Sequence, residues 1–116
     1  MQSRREDRGD VTVVFLAGSV GAGDHAEFRK MLHDLLGEGR ARLAVEASDL
    51  EYVNSSAIAA LVEFYEQAVR SGGGLAIVRP NTAVAKVLRS VGLSEIVHVC
   101  TSVGGAVRRL GGKKPG

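Results

Sequence analysis

The stretch RLAVEASDLEYVNSSAIAALVEFYEQAVRSGGGLAIV, residues 42–78, decides the fold. It opens with a mostly apolar run, Arg42 to Ala47, which predicts a buried strand. Apolar residues then recur at helical spacing until the glycines of SGGG: Ile58, Leu61, Val62, Tyr65 and Val69. A second apolar run, Leu75 to Val78, predicts the next strand. The order strand, helix, strand predicts two parallel strands joined by a crossover helix.

The same alternation continues toward the N-terminus. VTVVFLAG, Val11 to Gly18, predicts a strand, and residues 2–7 before the turn RGD are a candidate edge strand. A helix follows, and its apolar positions are Phe28, Met31, Leu32, Leu35 and Leu36. Asp24 and Glu27 have the spacing of a capping box at its start, and Gly37 predicts its end.

Toward the C-terminus, a turn at Pro80-Asn81 precedes a third helix that ends at Gly92. The segment from Glu95 to Cys100 predicts a last strand, and SVGGAVRRL predicts a short last helix. We therefore expect an α/β fold over residues 1–110, with a four- to five-stranded mixed, mainly parallel sheet and about four helices. Residues 111–116, GGKKPG, predict a disordered basic tail.

Composition narrows the function. The chain has 116 residues, of which 45% are hydrophobic and 24% charged, as in ordinary globular proteins. A net charge of +2 without interleaved aromatic and basic residues argues against nucleic-acid binding. We find no signal peptide or membrane span and expect a cytoplasmic protein. Cys100 is the single cysteine, so no disulfide framework or zinc-binding spacing exists, and we expect no metal.

Two adjacent serines, Ser55 and Ser56, follow the central strand and open the central helix. The simplest interpretation is helix capping: the side chain of Asn54 or Ser55 accepts a hydrogen bond from a backbone N–H, and Ser56 is only tolerated in the first turn. The sharper interpretation is a phosphorylation switch. The serines lie at the carboxyl edge of a parallel sheet and at a helix N-terminus, where negative charge is stabilised.

A third interpretation, a serine nucleophile, requires a base and an oxyanion site. His25 and His33 belong to the first predicted helix, His98 lies inside a strand, and neither serine stands in a G-x-S-x-G elbow. We therefore predict no catalysis. The glycine stretches SGGG and VGAG lack a complete phosphate-loop motif, so they predict turns and no cofactor.

The run DLEYVNSSAIAALVEFYEQA, residues 49–68, resembles the signature of STAS domains, specifically bacterial anti-sigma factor antagonists. The segments VTVVFLAG, LAIVRPNTAVAKVLRSVGL and IVHVCTSVGGAV are similar to other strands and helices of that family, so the resemblance covers nearly the whole chain. It implies that Ser56, or less readily Ser55, is phosphorylated by a serine kinase of the histidine-kinase-like ATPase type that doubles as the anti-sigma factor. A phosphatase reverses the modification, and the unphosphorylated form binds the kinase and frees the sigma factor.

Three positions depart from the family pattern. Asn54 stands where the family usually has Asp, Ala57 where it has Gly, and Gly21 where an Asp commonly precedes the first helix. Asp24 is then the only acid in that loop. These departures keep open a rival function, a non-phosphorylated STAS scaffold or accessory subunit of a stress-sensing or membrane transport complex.

Small residues and a phenylalanine lie together on the central helix just after the serines: Ala57, Ala60 and Phe64. If exposed, they would let a partner approach the backbone beside Ser56. The alternative is that they pack on a neighbouring helix of the same domain. The candidate partner surface consists of these residues with Asp24, Asn54, Ser55 and Ser56, on a protein expected to be a monomer or weak dimer.

Overall fold

The computed structural model describes residues 1–111, and the rest of the predicted basic tail lies outside the described residues. The strands are β1 (Gln2–Arg8), β2 (Val11–Val20), β3 (Arg42–Val53), β4 (Gly74–Val78) and β5 (His98–Cys100). The helices are α1 (His25–Gly37), α2 (Ser55–Arg70), α3 (Thr82–Ser90) and α4 (Val103–Leu110). Short 3₁₀ turns lie at Ala22–Asp24 and Leu93–Glu95.

The strands form one five-stranded sheet in the order β1-β2-β3-β4-β5. β1 is antiparallel to β2, and the other neighbouring pairs are parallel. Each parallel pair is joined by a crossover helix, as the alternation of strands and helices predicts. The structure therefore confirms the α/β prediction of a mixed, mainly parallel sheet with four helices, including the edge strand at the N-terminus.

The central strand β3 is longer than predicted and ends at Val53 instead of Ala47. Its second half is interrupted, because the register against β2 shifts between Phe15 and Ala17 and again between Gly18 and Ser19. Such bulges break the alternation of apolar and polar residues that identifies a strand. Only Leu50 and Val53 are buried beyond Ala47, so the sequence there is polar enough to predict a loop.

α1 begins directly after Asp24 and ends at Gly37, as predicted, but the predicted capping contacts do not form. The Asp24 carboxylate makes no capping hydrogen bond to α1, so the predicted capping box with Glu27 does not form. Asp24 instead accepts a hydrogen bond from the Gly21 N–H (3.2 Å) and faces the N-terminal amine of Met1 (3.4 Å). The helix includes Gly37, and the left-handed residue that follows it is Gly39, with φ of 79°.

The sheet has a main core on one face and a smaller cluster on the other. Helices α1, α2 and α3 contribute to the main core, whereas α4 covers the opposite face with Ala106 and Leu110. The β5 strand is shorter than predicted because Leu93–Glu95 form a 3₁₀ turn instead of extending it.

Of the two interpretations of the stripe Ala57, Ala60 and Phe64 on α2, the structure supports packing inside the domain. Ala57, Ala60 and Phe64 are 0%, 4% and 1% exposed and belong to the main core. The helix contacts both the sheet and α1, so its buried face is wider than the stripe of large apolar residues. Val69, which the pattern placed in that stripe, is 46% exposed. The alternative of packing inside the domain is correct for these three residues.

Candidate functional site

The two serines lie at the carboxyl edge of the parallel strands, where α2 begins directly after β3. The backbone N–H of Asn54 donates to the carbonyl of Val20 at the end of β2 (3.1 Å). On the other side, the Asn81 side chain donates to the carbonyl of Leu50 in β3 (3.1 Å). The end of β3 and the cap residue Asn54 are therefore held between the end of β2 and the turn after β4, which fixes where α2 begins relative to the sheet.

The start of α2 has one internal cap. The Asn54 side-chain oxygen accepts a hydrogen bond from the Ala57 N–H (2.9 Å), and Asn54 has extended backbone geometry, as an N-cap does. This confirms Asn54, and not Ser55, as the cap. Ser55 is exposed and Ser56 is half-buried.

The hydroxyl and backbone N–H groups of Ser55 and Ser56 make no hydrogen bonds within residues 1–111. Two free amides at the positive end of a 16-residue helix can receive an oxyanion. A phosphoryl group on a serine here would gain about 0.3–1 kcal/mol from the helix field, so the fold tolerates it.

The strand that precedes the serines carries exposed acids that sequence reasoning did not assign to the site. Asp49 and Glu51 at the end of β3 are exposed, and neither has an ion pair within the described residues. Tyr52, two residues before the cap, is 50% exposed although it is a large aromatic side chain. Asp24, by contrast, already faces the Met1 amine, so less of its charge is available to a partner than predicted. The polar residues that follow Ala47 were the sequence signal for Asp49 and Glu51.

A buried carboxylate lies beneath this edge. Glu46 in β3 is only 3% exposed and accepts hydrogen bonds from the Ser48 hydroxyl (2.8 Å) and from the Arg79 guanidinium. Arg79 follows β4 with a φ of 52°, a left-handed conformation that is uncommon outside glycine. This ion pair and the Asn81 hydrogen bond fix the chain where it leaves β4 and enters α3. Neither Glu46 nor Arg79 was predicted, because their pairing joins residues 33 positions apart.

Residues 3–98 match the family model described as "Mlab, STAS domain". The chain belongs to the STAS domain family. Two curated relatives, from Thermotoga neapolitana and Thermotoga maritima, carry the provisional name anti-sigma factor antagonist. The first is 28% identical over 87 residues, which covers 74% of this chain and 77% of the relative. The second is 29% identical over 84 residues, which covers 72% of this chain and 74% of the relative.

Solved structures show the same STAS fold. The crystal structure of the Thermotoga maritima protein with that provisional name superposes with a TM-score of 0.87 at 24% identity, covering 93% of each chain. The structure described as the Bacillus cell fate determinant SpoIIAA in the phosphorylated form has a TM-score of 0.75 at 15% identity. It covers 93% of this chain and 98% of that one. A third, a serine-to-glutamate variant of RsbS from Moorella thermoacetica, has a TM-score of 0.73 at 19% identity and covers 94% of each chain.

In the described part of this STAS domain, no histidine contacts the two serines through a hydrogen bond. His25 opens α1, His33 is exposed on the same helix, and the His98 Nδ1 faces the Arg109 guanidinium at 3.0 Å. Within the described chain, none of the three is hydrogen-bonded to Ser55 or Ser56. In residues 1–111 no group of three or more His, Cys, Asp or Glu side chains is placed to hold a metal ion. None of the helices described there has the length and apolar character needed to cross a bilayer.

Replacing Asn54 with alanine should lower the free energy of unfolding by about 1 kcal/mol, because the Ala57 N–H loses its acceptor. Urea denaturation followed by circular dichroism measures this change. Ser55→Ala is the matched control at the next position, and it should change stability by less than about 0.5 kcal/mol because its exposed hydroxyl has no partner among the described residues. Equal losses for the two variants would contradict the assignment of Asn54 as the cap.

Proposed function

We propose that this protein is an anti-sigma factor antagonist that binds a kinase-type anti-sigma factor and is switched off by phosphorylation of Ser56. It thereby regulates sigma-factor-dependent transcription. The observation that carries the proposal is the state of Ser56, a half-buried hydroxyl without a partner in residues 1–111, at the open N-terminus of α2. A residue kept for capping alone would use its hydroxyl, and here Asn54 already supplies the cap.

The similar proteins support this assignment. Relatives that cover most of the chain carry the provisional name anti-sigma factor antagonist. A protein with the same fold has been described in a phosphorylated form, and another carries a serine-to-glutamate substitution. Glutamate places a negative charge on a serine position, as phosphorylation does.

The departures at Asn54 and Ala57 are compatible with a phosphoacceptor at Ser56. Asn54 keeps the capping geometry that an aspartate would provide, so the first turn is held in place. The Ala57 side chain is fully buried and points away from a partner. The partner surface that we propose therefore consists of Ser55, Ser56 and Asn54 with the exposed acid Glu51, and Asp24 at its border.

The proposed partners are a serine kinase of the histidine-kinase-like ATPase type, which acts as the anti-sigma factor, and a serine phosphatase. The protein itself would bind and release without catalysing a reaction and would act in the cytoplasm. We propose that the free protein is a monomer or weak dimer, because its role is to present one face to a larger partner.

The decisive experiment is intact mass spectrometry after incubation with ATP and kinase-type anti-sigma factors encoded by the same organism. The wild type should gain a single phosphate, which raises the mass of the protein by about 80 Da and adds roughly −1.5 to −2 charges at pH 7. Ser56→Ala should gain none, whereas Ser55→Ala should still be modified. Phosphorylation of the Ser56→Ala variant would contradict the assignment of Ser56 as the phosphoacceptor.

A stable complex without any phosphate would favour the second candidate function, a non-phosphorylated STAS scaffold or accessory subunit. The observation that favours it is the pair of departures at Asn54 and Ala57, next to the serine on which the switch depends. The two functions differ in one measurement. A scaffold complex would be insensitive to Ser56→Asp, whereas a switch would not.

A further inference from the structure

Charge is divided unequally along this chain. Residues 1–67 contain seven Lys and Arg and twelve Asp and Glu, whereas residues 68–116 contain eight Lys and Arg and a single acid, Glu95. The sequence of the second part forms β4, α3, β5 and α4. The part of the fold around β4 and β5 therefore carries an excess of basic residues, although the net charge of the whole chain is only +2.

The structure neutralises the cations of the first part but not those of the second. All seven Lys and Arg of residues 1–67 form ion pairs with nearby carboxylates. In the second part, Arg79 pairs with Glu46 and Arg109 contacts His98. Four cations have neither an ion pair nor a side-chain hydrogen bond within residues 1–111: Arg70, Lys86, Arg89 and Arg108.

One of these cations, Arg89, lines a cleft together with an exposed apolar side chain, Val99. This cleft of about 270 Å³ runs between α3 and β5, and Arg89 and Val99 both line it together with Pro80, Ala85, Leu88 and Ser94. Val99 is 49% exposed. Val91 and Ile96, in the segment that joins α3 to β5, are 54% and 51% exposed, although they do not line the cleft. Lys86 precedes Arg89 by three residues and so lies on the same face of α3.

The cleft also borders an open edge of the sheet. β5 pairs with β4 on one side, and no described strand pairs with its other side. An edge strand exposes unpaired backbone groups to which an extended chain can add. The side chain of Val99 lies on the same face as its β4 neighbour Ile77, whereas His98 and Cys100 point toward α4. The apolar side chain at this edge therefore faces the cleft.

We infer that the cleft between α3 and β5 is a second docking surface, which takes an extended acidic segment of a partner protein added beside β5. Alternate apolar side chains of the segment would fill the cleft beside Val99, and its carboxylates would face Lys86 and Arg89. Glu95 is the only acid in the turn that borders the cleft, so the local charge is positive.

This surface is separate from the serine edge. α3 begins at the carboxyl edge of the sheet and runs back along it, and Arg89 lies seven residues after its first residue. At 1.5 Å per residue this displaces Arg89 by about 10 Å from that edge. A partner bound at the cleft would contact α3 and β5, whereas a partner bound at Ser56 would contact the start of α2. This difference in location distinguishes the inference from the proposed function.

A protein segment fits the cleft better than nucleic acid does. The residues that line it include no aromatic ring on which a base could stack. Its exposed apolar side chain, Val99, is aliphatic. An acidic segment with apolar positions matches the cleft in two ways. Its apolar side chains can pack on the aliphatic lining, and its carboxylates complement the cations that have no ion pair in the described chain.

The test uses the full chain labelled with ¹⁵N and an acetylated, amidated decapeptide of alternating glutamate and valine at low ionic strength. Amide chemical shifts should change within residues 83–100 and not around Ser56. A Lys86→Glu/Arg89→Glu variant should bind at least about tenfold more weakly, whereas Arg70→Glu, which reverses an unpaired cation elsewhere, should change affinity less than about twofold. Val99→Thr should weaken binding about fourfold.

Several results would overturn the inference. Equal binding of a lysine-valine decapeptide would remove the charge argument, and shifts confined to the serine edge would remove the location. Dimers that Val99→Thr abolishes would assign the surface to a second copy of the chain. Binding to phosphatidylglycerol vesicles that the double charge reversal abolishes would assign it to a lipid surface. Because Ser56→Ala should bind the peptide normally, failure here leaves the phosphorylation switch untouched.

Discussion

Replacing Phe64 with alanine should lower the free energy of unfolding by about 3–5 kcal/mol. Phe64 is 1% exposed and is among the largest fully buried side chains of the domain. The substitution removes the apolar area of a ring and leaves a cavity in the main core, on a helix that contacts both the sheet and α1. A domain of this size is stabilised by about 5–15 kcal/mol, so the variant should be close to its unfolding limit at ordinary temperatures.

Urea denaturation followed by far-ultraviolet circular dichroism measures the loss, since the chain has no Trp for a fluorescence signal. Val69→Ala is the matched control, because Val69 lies on the same helix as Phe64 but on its exposed face, where it is 46% exposed. It should change stability by less than about 0.5 kcal/mol. A loss below about 1 kcal/mol for Phe64→Ala would mean that the ring is exposed in solution, and the partner surface would then have to include it.

The fold was accessible from sequence because its strongest signals are local. The strand and helix around the serines, the glycine at Gly92 after α3 and the turn before β2 all depend on residues close in the chain. The second half of β3 was not accessible in this way. Its bulges depend on the register with β2, which is a contact between distant segments, and the polar residues there predict a loop.

In the candidate site, too, the features that depend on local sequence were predicted, and those that depend on distant contacts were not. The position of Ser55 and Ser56 and the cap at Asn54 follow from the local order of strand, cap and helix. The burial of Ala57, Ala60 and Phe64 depends on how α1 packs against α2, which hydrophobic spacing within α2 cannot show. Asp24 was misjudged for the same reason, since its partner, the Met1 amine, is 23 residues away.

Replacing Ser56 with aspartate should weaken binding to the anti-sigma factor by about five- to 150-fold while leaving the fold intact. One added charge about 5 Å from a partner carboxylate costs roughly 1–3 kcal/mol for effective dielectrics between 80 and 20. A phosphate, with about two charges, costs roughly 2–7 kcal/mol in the same position. Ser56 is half-buried, so a charged group there must also lose water when a partner packs over it.

The fold should survive because the charge lies at the helix N-terminus, next to the free amides of Ser55 and Ser56. We therefore expect the free energy of unfolding of Ser56→Asp to equal that of the wild type or to rise by about 0.3–1 kcal/mol. Calorimetric titration with the purified anti-sigma factor gives the affinity, and thermal denaturation gives the stability. This combination separates an electrostatic effect on the interface from damage to the domain.

Ser56→Asn is the matched control for the switch, because asparagine has the shape of aspartate without its charge. It should bind within about threefold of the wild type, since it adds no repulsion of the kind that costs Ser56→Asp roughly 1–3 kcal/mol. Equal losses for asparagine and aspartate would show that size, not charge, is what the partner rejects at this position. Tighter binding of Ser56→Asp would mean that a cation of the partner faces Ser56, in which case phosphorylation would promote the complex and the proposed direction of the switch would be reversed.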